Sequence, residues 1–452
     1  MEFLLLALSV SILIFPYVYV KKNIANYGTI NLIKPIHYFL ITSSLFFPIK
    51  AMILFAGVKQ SHFLFYNNYL NVEIVVETIF YVLIHVCFVI IGYQYYIKFI
   101  GKQSTVKSYF LPSESRINLI ILLYIILGVL AIADRIKTGT FFFIKDYDES
   151  KLEHYFWWYV PVLFGFVGSS FYLYGVTPFL AFAAGYYKKK KYVVLYYVFS
   201  AIYIFIGLYS GQKEVIYSII IIYLFYSFSF RRKTGTPLKS EVMKLVPVLL
   251  FVLFLPNLNY YRLLLVESTS RVGTHNLILA MKTKQESNYI FKRIDHLDAS
   301  YNVIKKTPDV VPFKYGETYL KSVDALTIYL PFLRAYYPYT ETINNSFANE
   351  YNLINESVSG ITLPIFVEAY MNFGIAGIIL ISILYGLLIG KITFLLDSPL
   401  FHIKLIGFIL FYIFLIQFNA LSFQAVSIAI SRELFTILII YFFLKGSYST
   451  IS

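Results

Sequence analysis

Apolar runs long enough to cross a bilayer alternate with short polar loops along most of this chain. A helix that crosses the hydrocarbon core needs about 20 apolar residues. The pattern predicts about 11 such helices, within a range of about 10 to 13, because the run at 157–186 suits either one tilted helix or two short segments. The candidate spans are 2–20, 36–57, 74–97, 117–133, 157–186, 192–209, 215–230, 245–258, 365–390, 405–420 and 433–445. The predicted fold is therefore an all-α polytopic membrane protein.

One long polar segment, residues 259–364, interrupts this pattern. It carries eleven Lys and Arg residues against ten Asp and Glu residues. Helical patterns are predicted at 286–307 and 317–329, and prolines mark the turns between them. Its aliphatic residues, including Ile304 and Leu320, are expected to pack on the helix bundle. We call this segment the cap, and we predict that it is folded and partly helical rather than a linker.

The overall composition agrees with a membrane protein. Hydrophobic residues make up 59% of the chain and charged residues 14%, with a mean hydropathy of +0.69. A soluble domain holds about 45–50% apolar and about 25% charged residues, so a soluble protein is excluded. The single cysteine, Cys87, excludes a disulfide framework and a Cys-based metal site. The net charge of +14 suits basic loops beside anionic lipid better than nucleic-acid binding.

Basic residues in short loops predict the orientation of the helices. Clusters at 188–191 and 231–233 mark the cytoplasmic side, because short cytoplasmic loops are enriched in Lys and Arg. The hairpin tip at 210–214 and the cap are then predicted to face outside, with the N-terminus outside and the C-terminus inside. The chain divides into an N-terminal transmembrane bundle at 1–258, the cap, and C-terminal transmembrane helices at 365–452.

A few charged residues stand in or beside the predicted spans, where charge is costly unless it is paired or functional. Glu368 lies in the first turn of the helix that leaves the cap, so its carboxylate can face a cavity beneath the cap. The alternative is a structural partner for a nearby arginine. Lys213, at the hairpin tip, can hold an anionic group or be a solvated turn residue. Glu77 and Glu433 are interpreted as charges near helix ends.

The cap also carries arginines and a histidine that suit phosphate and proton chemistry. The planar guanidinium group meets phosphate oxygens with two hydrogen bonds at once, although any one of these arginines can also be a surface salt bridge. The predicted diphosphate ligands are Arg262, Arg271, Arg293 and Arg334, together with Lys213. Asp295 and His296 follow Arg293 within one helical turn, and histidine titrates near neutrality. Both therefore join Glu368 as candidate proton acceptors.

The sequence lacks the motifs that mark nucleotide-binding, serine-hydrolase and metalloprotease sites. A Gly-rich phosphate loop, a Walker motif, GxSxG and HExxH are all absent. ATP-driven and nucleotide-sugar chemistry are therefore not expected, and neither is a metal or another cofactor.

Several short runs together resemble a known family. They are Ser210-Gly-Gln-Lys213, Arg293-Ile-Asp, Phe313-Lys-Tyr-Gly316, Leu330-Pro-Phe-Leu-Arg334 and Glu368-Ala-Tyr-Met-Asn-Phe-Gly374-Ile-Ala-Gly377 followed by Gly386. The Glu-X-Tyr-X-Asn-Phe-Gly-X-X-Gly run is the most specific. This layout resembles the oligosaccharide repeat-unit polymerases, the O-antigen polymerase (Wzy-type) group. One departure is Lys213, which stands where an arginine is expected.

The resemblance implies a GT-C-like glycosyltransferase of the bacterial inner membrane, with its active site facing the periplasm. Such an enzyme moves a growing glycan from undecaprenyl diphosphate to another lipid-linked repeat unit. The lipid diphosphate is already activated, so neither metal nor nucleotide is implied. Tyr315, Tyr370 and Asn372 lie in the matching runs and are expected to contact the substrate. The implied partners are the lipid-linked oligosaccharide, membrane lipid and a chain-length regulator.

Two rival functions stay open at this point. An O-antigen ligase uses the same chemistry to move the finished glycan onto lipid A–core, so its loss leaves bare core rather than core with one repeat. A polysaccharide flippase or transporter belongs to another class. That function favours charges deep within several helices and short loops, and this sequence has the reverse.

Overall fold

The computed structural model of the chain describes slightly more than half of its residues. The described residues are 4, 6–12, 14, 18–19, 34–44, 47–48, 51–52, 71–101, 109–138, 176–210, 222–223, 296–326, 350–351, 363–417, 423–445 and 448–451. They are mostly helical, which fits the predicted helical membrane protein. The described helices are α1 (Pro35–Ser44), α2 (Val72–Tyr95), α3 (Glu114–Thr138), α4 (Thr177–Tyr187), α5 (Lys190–Ser210), α6 (His296–Lys306), α7 (Glu317–Leu326), α8 (Ile365–Leu396), α9 (Phe401–Phe411) and α10 (Phe423–Leu444).

Among the described residues, two helices are long and apolar enough to cross a membrane. They are Val72–Ile100, which is α2 extended by a π-helical turn, and α8. The sequence analysis predicted spans at 74–97 and 365–390, so both helices were placed correctly, and α8 runs six residues further. A shorter apolar helix covers Phe401–Phe414.

The contacts divide the chain into two compact units. The first comprises residues 1–105, 288–398 and 407–431, and the second comprises 106–287, 399–406 and 432–452. The second unit contains an element that the sequence analysis did not include. Strands β1 (Tyr109–Pro112) and β2 (Tyr448–Ile451) pair antiparallel there, with Tyr109 opposite Ile451.

The basic cluster at 188–191 is partly neutralised within the second unit. Glu114, at the start of α3, forms ion pairs with Lys189 and, at 2.9 Å, with Lys191. The hydrogen bonds from these lysines lower the pKa of the Glu114 carboxyl to about 2. Lys188 ends α4 in the left-handed conformation, with φ of 52°.

In the first unit, α2 and α8 pack together through a stripe of small residues on α8. Ser382, Gly386 and Gly390 are spaced four apart, so they share one face of the helix. A Cβ atom at Gly386 would lie 2.1 Å from the carbonyl oxygen of Val89, and one at Gly390 would lie 2.6 Å from Cβ of Tyr96. Only glycine permits this approach, which is typical of helix pairs in membranes. The close contact of α2 and α8 therefore follows from the sequence.

A buried histidine adds a polar link to the same contact. The His85 Nδ1 atom lies 2.7 Å from the Ser382 hydroxyl, and that hydroxyl donates its own proton to the Ile378 carbonyl oxygen. The imidazole must then carry its proton on Nδ1 in order to donate it to Ser382. Phe366 and Tyr385 stack on the ring. This arrangement fixes the rotation of α2 against α8.

Helix α8 contains one break, at Phe373 and Gly374. Phe373 has φ of −141° and ψ of 16°, and Gly374 has φ of 63° and ψ of −148°. We call residues 365–372 the first segment of α8 and residues 375–396 the second segment. The second segment holds about 22 residues and is about 33 Å long at the helical rise, close to the hydrocarbon thickness of about 30 Å. It can therefore cross a membrane without the first segment.

Candidate active site

Glu368 lies on the first segment, and its side chain is fully buried. One carboxylate oxygen, Oε2, accepts a hydrogen bond of 2.7 Å from the backbone N–H of Phe423. Phe423 is the first residue of α10, where the N–H groups have no partner inside their own helix. The carboxylate therefore caps the N-terminal end of α10.

The second carboxylate oxygen of Glu368 differs from the first. Oε1 is buried and has no hydrogen-bond partner among the described residues. The Thr318 hydroxyl lies beside the carboxylate and interacts with it. A buried acceptor without a full hydrogen bond is costly, so natural proteins keep few of them and often at functional sites. This oxygen is the strongest chemical feature of the site.

The alternative role of Glu368, as a structural partner for a nearby arginine, stays a prediction, because the arginines of the cap lie outside the described residues. Within the described residues, the carboxylate accepts from the Phe423 N–H, and the side chain faces α7 of the cap and the start of α10. The predicted position beneath the cap thus has a structural basis, since Thr318 belongs to α7.

Asn372, one turn after Glu368, ties the cap to the first segment. Its side-chain oxygen accepts a hydrogen bond of 2.8 Å from the Gly316 N–H. Its amide group donates to the Thr318 hydroxyl at 2.7 Å and to the Glu368 carbonyl oxygen at 2.8 Å. Both amide protons are therefore used within the protein. Because Thr318 accepts from Asn372, the proton of its hydroxyl remains available for the Glu368 carboxylate.

The break in α8 also frees two carbonyl groups, and the cap uses both. In an unbroken helix the carbonyls of Met371 and Asn372 would accept from the residues four positions further on. Here they accept from the backbone N–H groups of Lys314, at 2.9 Å, and of Tyr315, at 3.2 Å. The run Phe313-Lys-Tyr-Gly316 thus binds the end of the first segment directly. The run 313–316 and the run 368–377 therefore lie against each other. In the sequence, only the family resemblance connected these two motifs.

The glycines of the Phe-Gly-X-X-Gly run have separate physical reasons. Gly374 adopts φ of 63° and ψ of −148°, a conformation that is essentially restricted to glycine. A Cβ atom at Gly377 would lie 2.3 Å from the Ala369 carbonyl oxygen. One glycine makes the break, and the other lets the second segment begin close to the end of the first.

Two predicted tyrosines occupy different surroundings. Tyr370 is buried, its hydroxyl donates to the Thr307 carbonyl oxygen at 3.2 Å, and its ring lies 5.1 Å from that of Tyr81 on α2. Tyr315 is 77% exposed and adopts a positive φ of 46° in the loop before α7. Of the two, only Tyr315 presents its ring to the surroundings.

Charged groups of the cap are paired near the site. Lys314 forms an ion pair of 2.7 Å with Glu350, and Lys321 forms one of 2.8 Å with Glu317. The hydrogen bond from Lys321 lowers the pKa of Glu317. Burial raises the pKa of Tyr319, and the nearby charge of Glu368 adds to this effect. The Tyr319 hydroxyl thus stays protonated near neutral pH.

Of the remaining predicted site residues, the structure describes His296, which is the first residue of α6. The others, Asp295, Lys213, Arg262, Arg271, Arg293 and Arg334, lie outside the described residues. Within the described residues, no group of three His, Cys, Asp or Glu residues could hold a metal ion.

Sequence reasoning missed two groups that contact the Glu368 carboxylate. Phe423 supplies its N–H from 55 positions further along the chain, and Thr318 supplies a hydroxyl from the cap. Neither residue type suggests chemistry in a sequence. The one available signal for Thr318 was its place two residues after Gly316, in a run already singled out.

Comparison with known proteins supplies a family. A family model described as O-antigen polysaccharide polymerase Wzy matches residues 1–449. No curated protein and no solved structure matches the chain.

Proposed function

The chain belongs to the O-antigen polysaccharide polymerase Wzy family, and on this premise we propose that Glu368 activates the acceptor sugar in a reaction between two lipid-linked repeat units. The substrate is an oligosaccharide repeat unit on undecaprenyl diphosphate, and the product is O-antigen or a similar surface polysaccharide. The reaction takes place at the periplasmic face of the bacterial inner membrane.

The observation that carries this proposal is the unequal environment of the two Glu368 oxygens. The Phe423 N–H holds Oε2 in place, while Oε1 is a buried acceptor without a hydrogen bond among the described residues. A general base must be held rigidly and must have a lone pair directed at the proton that it removes. The hydrogen bond from Phe423 supports the first condition, and the lone pairs of Oε1 are proposed to supply the second.

The proposed step balances as follows. The acceptor hydroxyl gives its proton to Oε1 of Glu368 while its oxygen forms a bond to the anomeric carbon of the donor glycan. The bond between that carbon and the diphosphate oxygen breaks, and its electron pair leaves with the undecaprenyl diphosphate. The proton on Glu368 is later lost to water. No nucleotide or metal is needed for this step, because the leaving group is already activated.

Cationic groups would stabilise the charge that develops on the departing diphosphate. We assign this role to Arg262, Arg271, Arg293 and Arg334, with Lys213 at the hairpin tip. Asp295 and His296 are the alternative proton acceptors. Tyr315 is the proposed contact for a sugar face, since its ring is exposed. Tyr370 and Asn372 would act mainly by holding the cap and the first segment together.

The proposed architecture follows from the sequence. About 11 transmembrane helices, in the bundle at 1–258 and in the C-terminal segment at 365–452, adopt a GT-C-like arrangement, and the cap lies over them on the periplasmic side. A chain-length regulator is a proposed partner. The enzyme needs access for a polyprenyl tail from the bilayer.

The function can be tested in cells that lack their own copy of the gene. Cells that carry Glu368→Gln should show lipopolysaccharide with a single repeat and no ladder of longer chains. Glu433→Gln is the matched control, because Glu433 is a second buried glutamate in an apolar helix; its ladder should persist. The amount of protein in the membrane is measured for both variants.

Two outcomes would contradict the proposal. An unchanged ladder in cells with normal amounts of the Glu368→Gln protein would show that this carboxylate is not needed. Bare core without any repeat would indicate a ligase instead of a polymerase.

A further inference from the structure

Helix α7 has its polar and apolar faces reversed relative to a helix that packs on a core in water. Thr318 and Ser322 are buried, whereas Leu320 is 70% exposed and Val323 is 57% exposed. The expectation that Leu320 packs on the helix bundle is therefore wrong, although Ile304 of α6 is buried as expected. A helix on the surface of a protein in water turns its apolar stripe inward.

The polar face of α7 turns inward because its hydroxyl groups form hydrogen bonds there and contact the Glu368 carboxylate. Thr318 accepts from the Asn372 amide group and lies beside the Glu368 carboxylate. The Ser322 hydroxyl donates to the Thr318 carbonyl oxygen at 2.8 Å. The inner face is thus part of the active site, and the outer face is left with the aliphatic side chains.

The position of α7 along α8 indicates what covers the outer face. The Tyr319 ring stacks on the Phe373 ring, with centroids 6.4 Å apart, and the Gly316 N–H binds Asn372. Helix α7 therefore begins at the break in α8, where the membrane-crossing second segment starts. Because that segment alone matches the hydrocarbon thickness of about 30 Å, the break lies at the membrane boundary.

The apolar surface of α7 also continues a surface that faces lipid. Phe373 and Ile375, beside the break, are 43% and 44% exposed on α8. The pair of Glu317 and Lys321 flanks the exposed face of α7 and is itself about half exposed. Long charged side chains can keep their charge at the headgroups while their apolar stems lie against the lipid. Aliphatic residues beside a charged pair are typical of helices that lie in the interface.

We propose that α7 is an interfacial helix whose Leu320 and Val323 side chains insert into the bilayer and whose opposite face forms the wall of the Glu368 site. This inference rests on the proposed function, because it places the Glu368 site at one face of a membrane. A lipid-linked substrate would then approach the site along α7, with its polyprenyl chain remaining in the lipid. The occupant of the exposed face is the bilayer itself.

The proposal is tested by measuring what surrounds each position. In a Cys87→Ser background, single cysteines are introduced by Leu320→Cys and Val323→Cys and labelled with a nitrobenzoxadiazole fluorophore. Leu384→Cys, at an exposed position of the second segment, is the lipid reference, and Asp309→Cys, in an exposed turn, is the water reference. The proteins are reconstituted in phosphatidylcholine–phosphatidylglycerol vesicles. Quenching by a spin-labelled phosphatidylcholine is compared with quenching by iodide in water.

The labels at 320 and 323 should be quenched by the spin-labelled lipid to about the same extent as the label at 384, and weakly by iodide. Strong quenching by iodide, as at 309, would show that the face lies in water and would overturn the proposal. Protection from both quenchers would show that protein covers the face, either a second copy or another part of the chain. That result would overturn it as well.

The labelling result does not depend on catalysis, so the two proposals fail separately. If Glu368→Gln leaves the ladder unchanged while both labels lie in lipid, the proposed function is wrong and the interfacial helix stands. If the ladder disappears but the labels lie in water, the reverse holds.

Discussion

The two segments of α8 differ in almost every respect, although only Phe373 and Gly374 separate them. All eight residues of the first segment are buried, and they include Glu368 and Asn372. The second segment contains glycines on the side that contacts α2 and exposed aliphatic residues elsewhere, such as Leu380 and Leu384. One segment is surrounded by protein, and the other has a surface suited to lipid.

This difference shows where polar chemistry can be held in such a protein. A carboxylate on a lipid-facing helix is expensive, and a buried one needs partners from several directions. The first segment receives those partners from the cap and from α10, because the break at Gly374 ends the helix there. The second segment is held by close glycine contacts and by the single polar link between His85 and Ser382. On the proposed function, the break thus separates the part assigned to chemistry from the part that is long and apolar enough to cross a membrane.

The largest expected effect comes from disrupting the contact between the second segment and α2. Gly386→Val should prevent stable folding, because a Cβ atom there would lie 2.1 Å from a backbone oxygen of α2. Overpacking of this kind costs about 3 kcal/mol or more when backbone must move. The measurement is thermal unfolding of the detergent-solubilised protein. Leu384→Val, on the exposed side, is the control and should unfold like the native protein; equal stability of both variants would contradict the proposed packing.

The next effect removes the boundary itself. Gly374→Ala forces a side chain into a conformation that costs about 1–3 kcal/mol, and it should shift the first segment against the cap. A displacement of about 1 Å at a catalytic site can reduce the rate about 100-fold. The rate of repeat-unit elongation by the purified protein measures this. Ala376→Ser, at an exposed helical position, should elongate normally; a normal rate for Gly374→Ala would show that the break is not required.

A smaller effect loosens the cap from the first segment. Asn372→Ala removes three hydrogen bonds and leaves the Gly316 N–H without its acceptor, so the stability should fall by about 2 kcal/mol. Asn372→Asp keeps an acceptor for Gly316 but loses both donors and buries a second carboxylate near Glu368, so at neutral pH it should be at least as unstable as Asn372→Ala. Unfolding temperatures and elongation rates are compared. An Asn372→Ala protein with native stability would contradict the proposed role.

The smallest effect concerns the exposed ring beside the first segment. Tyr315→Ala should leave stability almost unchanged, because the side chain is 77% exposed. If the ring stacks on a sugar, the loss of about 1 kcal/mol would raise KM for the lipid-linked acceptor about fivefold. Tyr315→Phe keeps the ring and should behave like the native protein. Equal KM values for all three proteins would exclude the contact.

Much of the helical fold could be predicted because hydropathy determines it. The spans predicted at 74–97 and 365–390 correspond to α2 and α8, and the cap helix predicted at 317–329 corresponds to α7. The break at Gly374 could not be predicted, since the apolar pattern continues across it and hydropathy contains no information about φ. The pairing of Tyr109–Pro112 with Tyr448–Ile451 was missed because it joins two short segments from distant parts of the chain.

Of the residues around the candidate site, the sequence could single out Glu368 but not the groups that contact its carboxylate. Glu368 was singled out because a charge in an apolar segment is conspicuous in a sequence. Its contacts with Phe423 and Thr318 depend on how three helices pack, which no local pattern shows. Leu320 was expected to pack on the helix bundle but is exposed. The sequence pattern reveals an apolar stripe on α7 but does not show what that stripe faces.

The central claim is that Oε1 of Glu368 takes the proton of the acceptor hydroxyl. It is tested most directly by the elongation rate of lipid-linked repeats with purified Glu368→Gln protein. Glutamine keeps the shape and can still accept from the Phe423 N–H, so the cap of α10 is retained while the base is lost. We predict a rate about 100-fold or more below that of the native protein, at an unchanged unfolding temperature. A rate within about threefold of the native value, far smaller than the roughly 100-fold loss expected on removal of a general base, would contradict the claim.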